Sequence, residues 1–151
     1  MAANNLPAGY ALVEGYPSVE DYMILRSECI TQKTPEQADA AMKGSWYGVY
    51  VVEEAAPTKA VAMGRVVGDG GWYFLIADMI TSSEHQRKGL GDVILKKLLG
   101  AIKSRAPKGS ALITLTADPP GRRLYEKNGF SDYTSGVTGM LLRVDGEGQE
   151  Q

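Results

Sequence analysis

Thr81-Ser82-Ser83-Glu84-His85-Gln86-Arg87-Lys88-Gly89-Leu90-Gly91-Asp92 is the stretch whose reading decides the fold. An apolar run ends at Thr81, a polar loop turns, and Gly89 and Gly91 open a segment in which Leu90, Ile94, Leu98 and Ile102 are spaced by four, flanked by Val93, Leu95 and Ala101. That spacing predicts an amphipathic helix over 90–104. A helix start leaves backbone N–H groups without partners, and the macrodipole adds about half a positive charge there. Such an end can bind a phosphate group, with Arg87 and Lys88 adding side-chain charge beside it. Side chains at the two glycine positions would hold the backbone away from the anion. A dinucleotide fingerprint is excluded, because the position of its third glycine is Ile94. A Walker loop is excluded too, because Gly91 is followed by Asp92 and Val93 rather than by lysine and a hydroxyl residue. The alternative to a phosphate loop is a plain glycine-containing helix start.

Upstream, Trp46 to Glu53, Ala60 to Val67 and Trp72 to Thr81 are β-rich runs separated by Glu54-Ala55-Ala56-Pro57-Thr58 and by Gly68-Asp69-Gly70-Gly71. Both separators are turn chemistry, which predicts an antiparallel meander leading into the loop. Before the meander, Tyr10 to Tyr16 reads as a strand and Ser18 as the cap of a helix over 19–29. Thr34-Pro35-Glu36-Gln37 supplies a cap, a proline at the first helical position and a glutamine three residues after the cap. A second helix therefore runs to about Met42 and stops at Gly44. Downstream, Ala111 to Thr116 reads as a strand. Pro119-Pro120 can only begin a helix, which continues over 121–128 and closes at Gly129. Phe130 to Val144 supplies two last strands around Ser135-Gly136, and the ends, 1–9 and 145–151, are expected to fray. The order β-α-α-β-β-β-α-β-α-β-β predicts an α+β domain with a mixed, mostly antiparallel sheet of about seven strands and about four helices.

With 151 residues, 44% of them hydrophobic and 23% charged, the composition is that of one soluble domain spanning 1–151. A domain of this size buries roughly 70% of the surface its unfolded chain exposes, so it needs neither disulfide nor metal to hold a core. Cys29 is the single cysteine and no Cys/His cluster exists, which removes structural zinc and dithiol redox chemistry and suits a reducing compartment. Sixteen Lys+Arg against 18 Asp+Glu, a net charge of −2, argue against a nucleic-acid coat. No signal-like apolar segment stands near residue 1, and no run approaches about 18 apolar residues. The expectation is a protein of the cytoplasm, reaching the nucleus by diffusion, with no membrane or nucleic-acid partner.

Gln86-Arg87-Lys88-Gly89-Leu90-Gly91 resembles the Q/R-x-x-G-x-G/A pyrophosphate loop of the GNAT N-acetyltransferase superfamily, and it stands after the fourth strand and before the third helix, as it does there. Ala77-Asp78-Met79-Ile80-Thr81 is similar to the family's fourth-strand segment. Leu124-Tyr125-Glu126-Lys127-Asn128-Gly129-Phe130 looks like its L-Y-E-K-x-G-F signature. The resemblance covers residues 10–144 and implies the GNAT fold, with the fourth and fifth strands splayed apart. Pro119, which cannot donate a ladder bond, fits a strand end that must diverge. It also implies acetyl-CoA as cosubstrate, no metal, and transfer of the acetyl group to an amine by direct attack in a ternary complex.

Carried onto this chain, the resemblance gives the amides of Arg87, Lys88, Gly89, Leu90 and Gly91 to the pyrophosphate. It gives the backbone of Met79, Ile80 and Thr81 to the pantetheine arm, as an added strand. Gln86, Asp118 and Gly121 join the cofactor-binding set. Asp118 stands where many members have asparagine; either can accept from a pantetheine amide, but only asparagine can also donate. Tyr125 would be the general acid for the departing thiolate, a phenol near pKa 10 serving a thiol of order 8 to 9. The alternative for Tyr125 is packing on a short helix. An alkylamine is only about one part in a thousand neutral at pH 7, a penalty of about 4–5 kcal/mol, so a route for its proton is required. Asp78 is the first candidate base, its alternative being a structural carboxylate at a bulge; Glu84 and His85 come second. Trp46, Trp72, Tyr73, Tyr133 and Tyr22 are candidates for an aromatic acceptor pocket, or else core residues. The small acidic balance favours a cationic amine over an acidic acceptor. The expected substrate is a small-molecule amine, handled by a monomer or homodimer. The alternatives are a protein lysine or N-terminus, and a catalytically silent acyl-CoA sensor, against which Tyr125 speaks.

Overall fold

A computed structural model of the chain describes residues 5–29, 31–133 and 135–148. The N-terminal expectations are met by local chemistry. Strand β1 (Tyr10–Glu14) leads to helix α1 (Val19–Ser27), where the Ser18 hydroxyl accepts from the Asp21 amide at 3.1 Å. Helix α2 (Pro35–Lys43) opens on a complete capping box between Thr34 and Gln37 and ends at Gly44.

Strands β2 (Tyr47–Glu53), β3 (Ala56–Gly68) and β4 (Tyr73–Thr81) form the meander, with β1 antiparallel to β2. Strand β3 begins earlier than the turn residues Ala56-Pro57-Thr58 suggested, because the turn needs only Glu54 and Ala55. A short 3₁₀ turn (Ser83–His85) and the glycine loop lead into α3 (Leu90–Arg105). Strand β5 (Leu112–Thr114) then pairs in parallel with β4, and a second 3₁₀ turn (Pro119–Gly121) enters α4 (Arg122–Lys127).

The sheet order is β1-β2-β3-β4-β5, five strands rather than seven. Among the described residues of 131–148 no strand forms, and Met140, Leu141, Leu142 and Val144 are exposed. The physical reason lies in β5. Its three residues offer too short an edge for a hairpin to extend, and a hairpin outside a sheet is marginal in water. Gly136 and Gly139 weaken the segment further. A groove of ≈ 480 Å³ runs along that open edge, lined by Leu112, Ile113 and Phe130 among others. The ends expected to fray fall partly outside the described residues, at 1–4 and 149–151.

Helices occupy both faces of the sheet. On one, α3 sends Leu90, Ile94, Leu95, Leu98 and Ile102 against Val49, Val51, Val66, Phe74 and Ile76. On the other, Tyr22 and Leu25 of α1 with Ala38 and Met42 of α2 pack on Ala60, Met63 and Ile80. A side chain of Leu, Ile, Val or Phe buried this way contributes about 1.5–3 kcal/mol, so the two cores together clamp the sheet between them.

Strand β4 changes face midway. Phe74 and Ile76 belong to the α3 core, and strict alternation would send Asp78 and Ile80 there too. Instead Asp78 is left-handed, with φ of 51°, and the ladder shifts register between Met63↔Ile80 and Arg65↔Ala77. This bulge inserts one extra residue into β4, so Met79 packs on the α3 side while Asp78 and Ile80 face α1 and α2. Gly64 sits opposite the bulge because a Cβ there would lie 2.6 Å from both Ile94 Cγ2 and Met79 Sδ.

Candidate active site

Strand β5 pairs only with Tyr73–Leu75, so among the described residues β4 from Ile76 to Thr81 has no ladder partner on that side. Its free backbone groups run straight to the glycine loop, where Gln86 Nε2 donates to the Thr81 carbonyl at 3.1 Å and ties the loop to the strand end.

Helix α3 starts on Gly89 with φ of 81°, and no side chain caps it. Its first-turn amides therefore have no intrahelical acceptor. The two glycines are needed for different reasons. Gly89 is required by its left-handed backbone, with open space where a side chain would stand. Gly91 lets α4 pack closely, since a Cβ there would come 3.3 Å from Leu124 Cδ2 and press that side chain aside. Arg87, itself left-handed at φ 60°, and Lys88 lie exposed on the loop. Lys88 Nζ donates to Tyr10 Oη at 3.0 Å, and that hydroxyl meets His85 Nδ1 at 2.8 Å. His85 thus fastens the loop to β1, and Glu84 is exposed.

Helix α4 is held against this helix start. Asn128 Nδ2 donates to Asp92 Oδ1 at 2.9 Å and to the Leu124 carbonyl at 2.8 Å. Burial would raise the Asp92 carboxyl, but hydrogen bonds from Asn128, Lys96 and Lys127 outweigh it and bring it down to about 2. Tyr125 lies between the two anchoring residues Leu124 and Asn128. Its ring rests over Gly121, where a Cβ would come 3.2 Å from it, and edge-on to Phe130 at 6.0 Å between centroids. Burial and the Asp118 carboxylate raise its phenol above the usual value, so the hydroxyl is a protonated donor across the physiological range. Asp118 itself caps nothing with its side chain; it accepts the Gly121 amide at its carbonyl.

Asp78 has a crowded surrounding. Its Oδ2 accepts from Tyr22 Oη at 2.5 Å, from Arg65 Nε at 2.7 Å and from Lys33 Nζ at 3.3 Å; its Oδ1 accepts from Arg26 Nη1 at 3.2 Å. The side chain is only 5% exposed. Burial pushes the carboxyl up, but the Tyr22 hydroxyl and the Arg65 guanidinium overcome it and hold it below the usual aspartate value. Burial and then the Asp78 charge raise the Tyr22 phenol well above its own. A carboxylate so engaged is a fixed anion with little basicity left.

The aromatic residues do not gather into one pocket. Tyr22 is buried at Asp78 and Trp46 packs edge-on to Phe74 at 4.9 Å. Trp72 and Tyr73 pack edge-on to each other, exposed, at the start of β4, roughly 17 Å from Asp78 by strand rise. Tyr133 is exposed on the C-terminal segment.

Sequence reading missed Arg26, Lys33 and Arg65 around Asp78, and Asn128 as the link from α4 to α3. Arg65 alone carried a signal: it is the one charge in Val61-Ala62-Met63-Gly64-Arg65-Val66-Val67, a run otherwise suited to burial. Among the described residues no group of His, Cys, Asp and Glu comes together to hold a metal ion, and no helix is long and apolar enough to cross a membrane.

Residues 45–132, more than half of the chain, match the family model described as an acetyltransferase (GNAT) domain. The chain belongs to the GNAT acetyltransferase family. Solved GNAT-like structures share its fold. A Staphylococcus aureus protein of unknown function, described as a probable acetyltransferase, superposes with a TM-score of 0.81 at 29% identity, covering 89% of this chain and 99% of that one. A Streptococcus pneumoniae acetyltransferase of the GNAT family gives 0.73 at 23% identity, over 89% and 98%. The uncharacterized N-acetyltransferase ycf52 of Pyropia yezoensis is 30% identical over 102 residues, 67% of this chain and 57% of that protein. The chain spans about half the length of the curated relatives it matches.

Proposed function

We propose that this GNAT protein transfers the acetyl group of acetyl-CoA to the primary amine of a small molecule by direct attack in a ternary complex. The observation that carries this reading is the convergence of three features. They are the unpaired half of β4, the uncapped glycine start of α3, and a protonated Tyr125 held beside that start by Leu124 and Asn128. The donor set fits the cosubstrate. Met79 and Ile80, followed by Thr81 whose carbonyl is already held by Gln86, offer the β4 edge to an arm that carries its own amides, and the amides over 87–91 with the Arg87 side chain suit a pyrophosphate. What the cosubstrate supplies is an acetyl thioester.

The rest is done by the chain. The loop orients the anion, the free edge of β4 aligns the arm, and Tyr125 holds a proton at Oη for the departing sulfur. Asp78 acts here as the anchor of the α1–β4 contact rather than as the base, because four donors hold it in place and its carboxyl is held low.

Calorimetric titration with acetyl-CoA together with a thiol-release assay over a panel of amines tests the reading. Tyr125→Phe is expected to lower kcat about a hundredfold while leaving the Kd for acetyl-CoA within twofold. An unchanged kcat removes Tyr125 as the acid, and no acetyl-CoA binding by the unaltered protein overturns the proposal.

A further inference from the structure

Three cations meet one anion at the bulge of β4. Arg26, Lys33 and Arg65 all bond to Asp78, and among the described residues no other carboxylate lies within ion-pair distance of any of them. The cluster therefore carries a surplus of two positive charges. Its members are largely out of water: the side chains of Arg26, Lys33 and Arg65 are 12%, 25% and 9% exposed. One guanidinium would have neutralised Asp78. Burying two further cations without counter-ions is strongly unfavourable, because desolvation of each is repaid only by a partner of opposite sign.

Donors remain unused in the cluster. Arg26 Nε is buried with no hydrogen-bond partner, while the other guanidinium nitrogens of Arg26 are occupied by Asp78 and by the Thr31 carbonyl. Lys33 Nζ has three protons and two partners, Tyr22 Oη and Asp78 Oδ2. Burial lowers the Lys33 ammonium; the Asp78 charge opposes this, and the Arg65 and Arg26 guanidiniums add to the lowering. Lys33 is the most exposed of the three, so its ammonium is the donor nearest to solvent. A fourth cation approaches the same loop, since Arg143 Nη2 reaches Thr31 Oγ1 at 3.5 Å.

We propose that Arg26 and Lys33, fixed by Asp78 and supported by Arg65, seat an anionic group of the acceptor, so that the amine accepted carries a carboxylate or a phosphate. The location suits this role. Asp78 immediately precedes Met79–Thr81, whose backbone receives the acyl arm in the reading above, and two residues of strand span about 7 Å. An acceptor with its anion on the cluster and its amine a few bonds away would present nitrogen to that edge from the α1–α2 side. The inference rests on the acetyl-transfer reading, and it reverses the expectation of a purely cationic substrate drawn from net charge. The overall balance of −2 says nothing about a local surplus of two cations.

The test uses matched pairs in the thiol-release assay: tyrosine against tyramine, and O-phosphoethanolamine against ethanolamine. The anionic member of at least one pair is expected to have a kcat/KM at least tenfold higher. A preference in the phosphate pair alone identifies a phosphate acceptor, and one in the carboxylate pair alone a carboxylate acceptor. In Lys33→Gln the ratio of anionic to neutral kcat/KM should fall about tenfold, the worth of one charge-assisted hydrogen bond. Equal rates within both pairs, or a ratio that Lys33→Gln leaves unmoved, overturn the proposal. Should none of the four amines turn over, calorimetry in the presence of CoA decides. Binding of tyrosine or O-phosphoethanolamine that weakens in Lys33→Gln supports the anion seat, and its absence overturns it. The acetyl-transfer reading stands or falls separately, on the titration with acetyl-CoA.

Discussion

Replacing Asp78 by asparagine separates an anchor from a base. The substitution keeps the shape of the side chain and removes the only anion that Arg26, Lys33 and Arg65 share among the described residues. Breaking a buried ion pair by deleting one partner costs about 3–5 kcal/mol, because the remaining charges stay desolvated. A domain is stable by about 5–15 kcal/mol in total, so about a fifth or more of the margin is at stake. For a chain of about 150 residues each kcal/mol moves Tm by roughly 2–4 °C, which predicts a fall of about 6–20 °C.

The pH dependence has a definite sign. The Asp78 carboxyl is lowered in the fold, so its contribution is present above the unfolded value of about 3.9 and is lost as pH falls through the folded one. The Tm gap between the unaltered protein and Asp78→Asn should therefore be full at pH 7 and close below about pH 4. Scanning calorimetry or thermal circular dichroism across pH 3–8 reads both effects. Adding Lys33→Gln should relieve part of the loss, with a coupling of about 0.5–3 kcal/mol, since it removes one of the stranded cations. An Asp78→Asn protein with unchanged Tm, an intact acetyl-CoA affinity and a kcat depressed most at low pH would refute the anchor and restore the base.

Asn128→Ala removes the bonds to Asp92 and to the Leu124 carbonyl, and is expected to cost about 1–2 kcal/mol in urea unfolding and to lower kcat about tenfold while sparing acetyl-CoA affinity. Rescue by Asn128→Gln of stability without kcat would assign the residue to positioning Tyr125, whereas an unchanged kcat in Asn128→Ala would show that α4 needs no tether to α3. Gly64→Ala puts a Cβ at 2.6 Å from Ile94 Cγ2 and Met79 Sδ, and should destabilise by about 1–3 kcal/mol through overpacking; an unaffected urea midpoint would mean that the bulge of β4 yields freely.

The parts of the fold legible in the sequence are those set by neighbours a few residues apart. Ser18 and the Thr34–Gln37 capping box announce their helices through hydrogen bonds within one turn. The four-residue spacing from Leu90 to Ile102 likewise fixes α3, which closes one residue later than expected, at Arg105. The glycine loop is legible for the same reason, although what lies closest to a Cβ at Gly91 is Leu124, far along the chain. The segment over 130–144 misled, because its β-branched and apolar residues state a propensity while a strand also requires an edge. The three residues of β5 do not provide one.

The site at Asp78 was legible only in part, and the reason is one dihedral angle. Alternation along β4 carries Phe74 and Ile76 to the α3 face, and nothing in Ile76-Ala77-Asp78-Met79 announces that a non-glycine residue takes a left-handed φ. Such a backbone is unfavourable for aspartate by about 1 kcal/mol or somewhat more, and four donors from α1, β3 and the α1–α2 connection oppose that cost. The charge cluster and the bulge thus hold each other in place. The carboxylate keeps β4 turned toward α1, and the turn of β4 aligns Met79, Ile80 and Thr81 along the edge that β5 leaves open. On the proposed reading, the device that leaves the strand edge to the cosubstrate would also seat the acceptor's anion, and specificity and cofactor alignment would both depend on one buried aspartate.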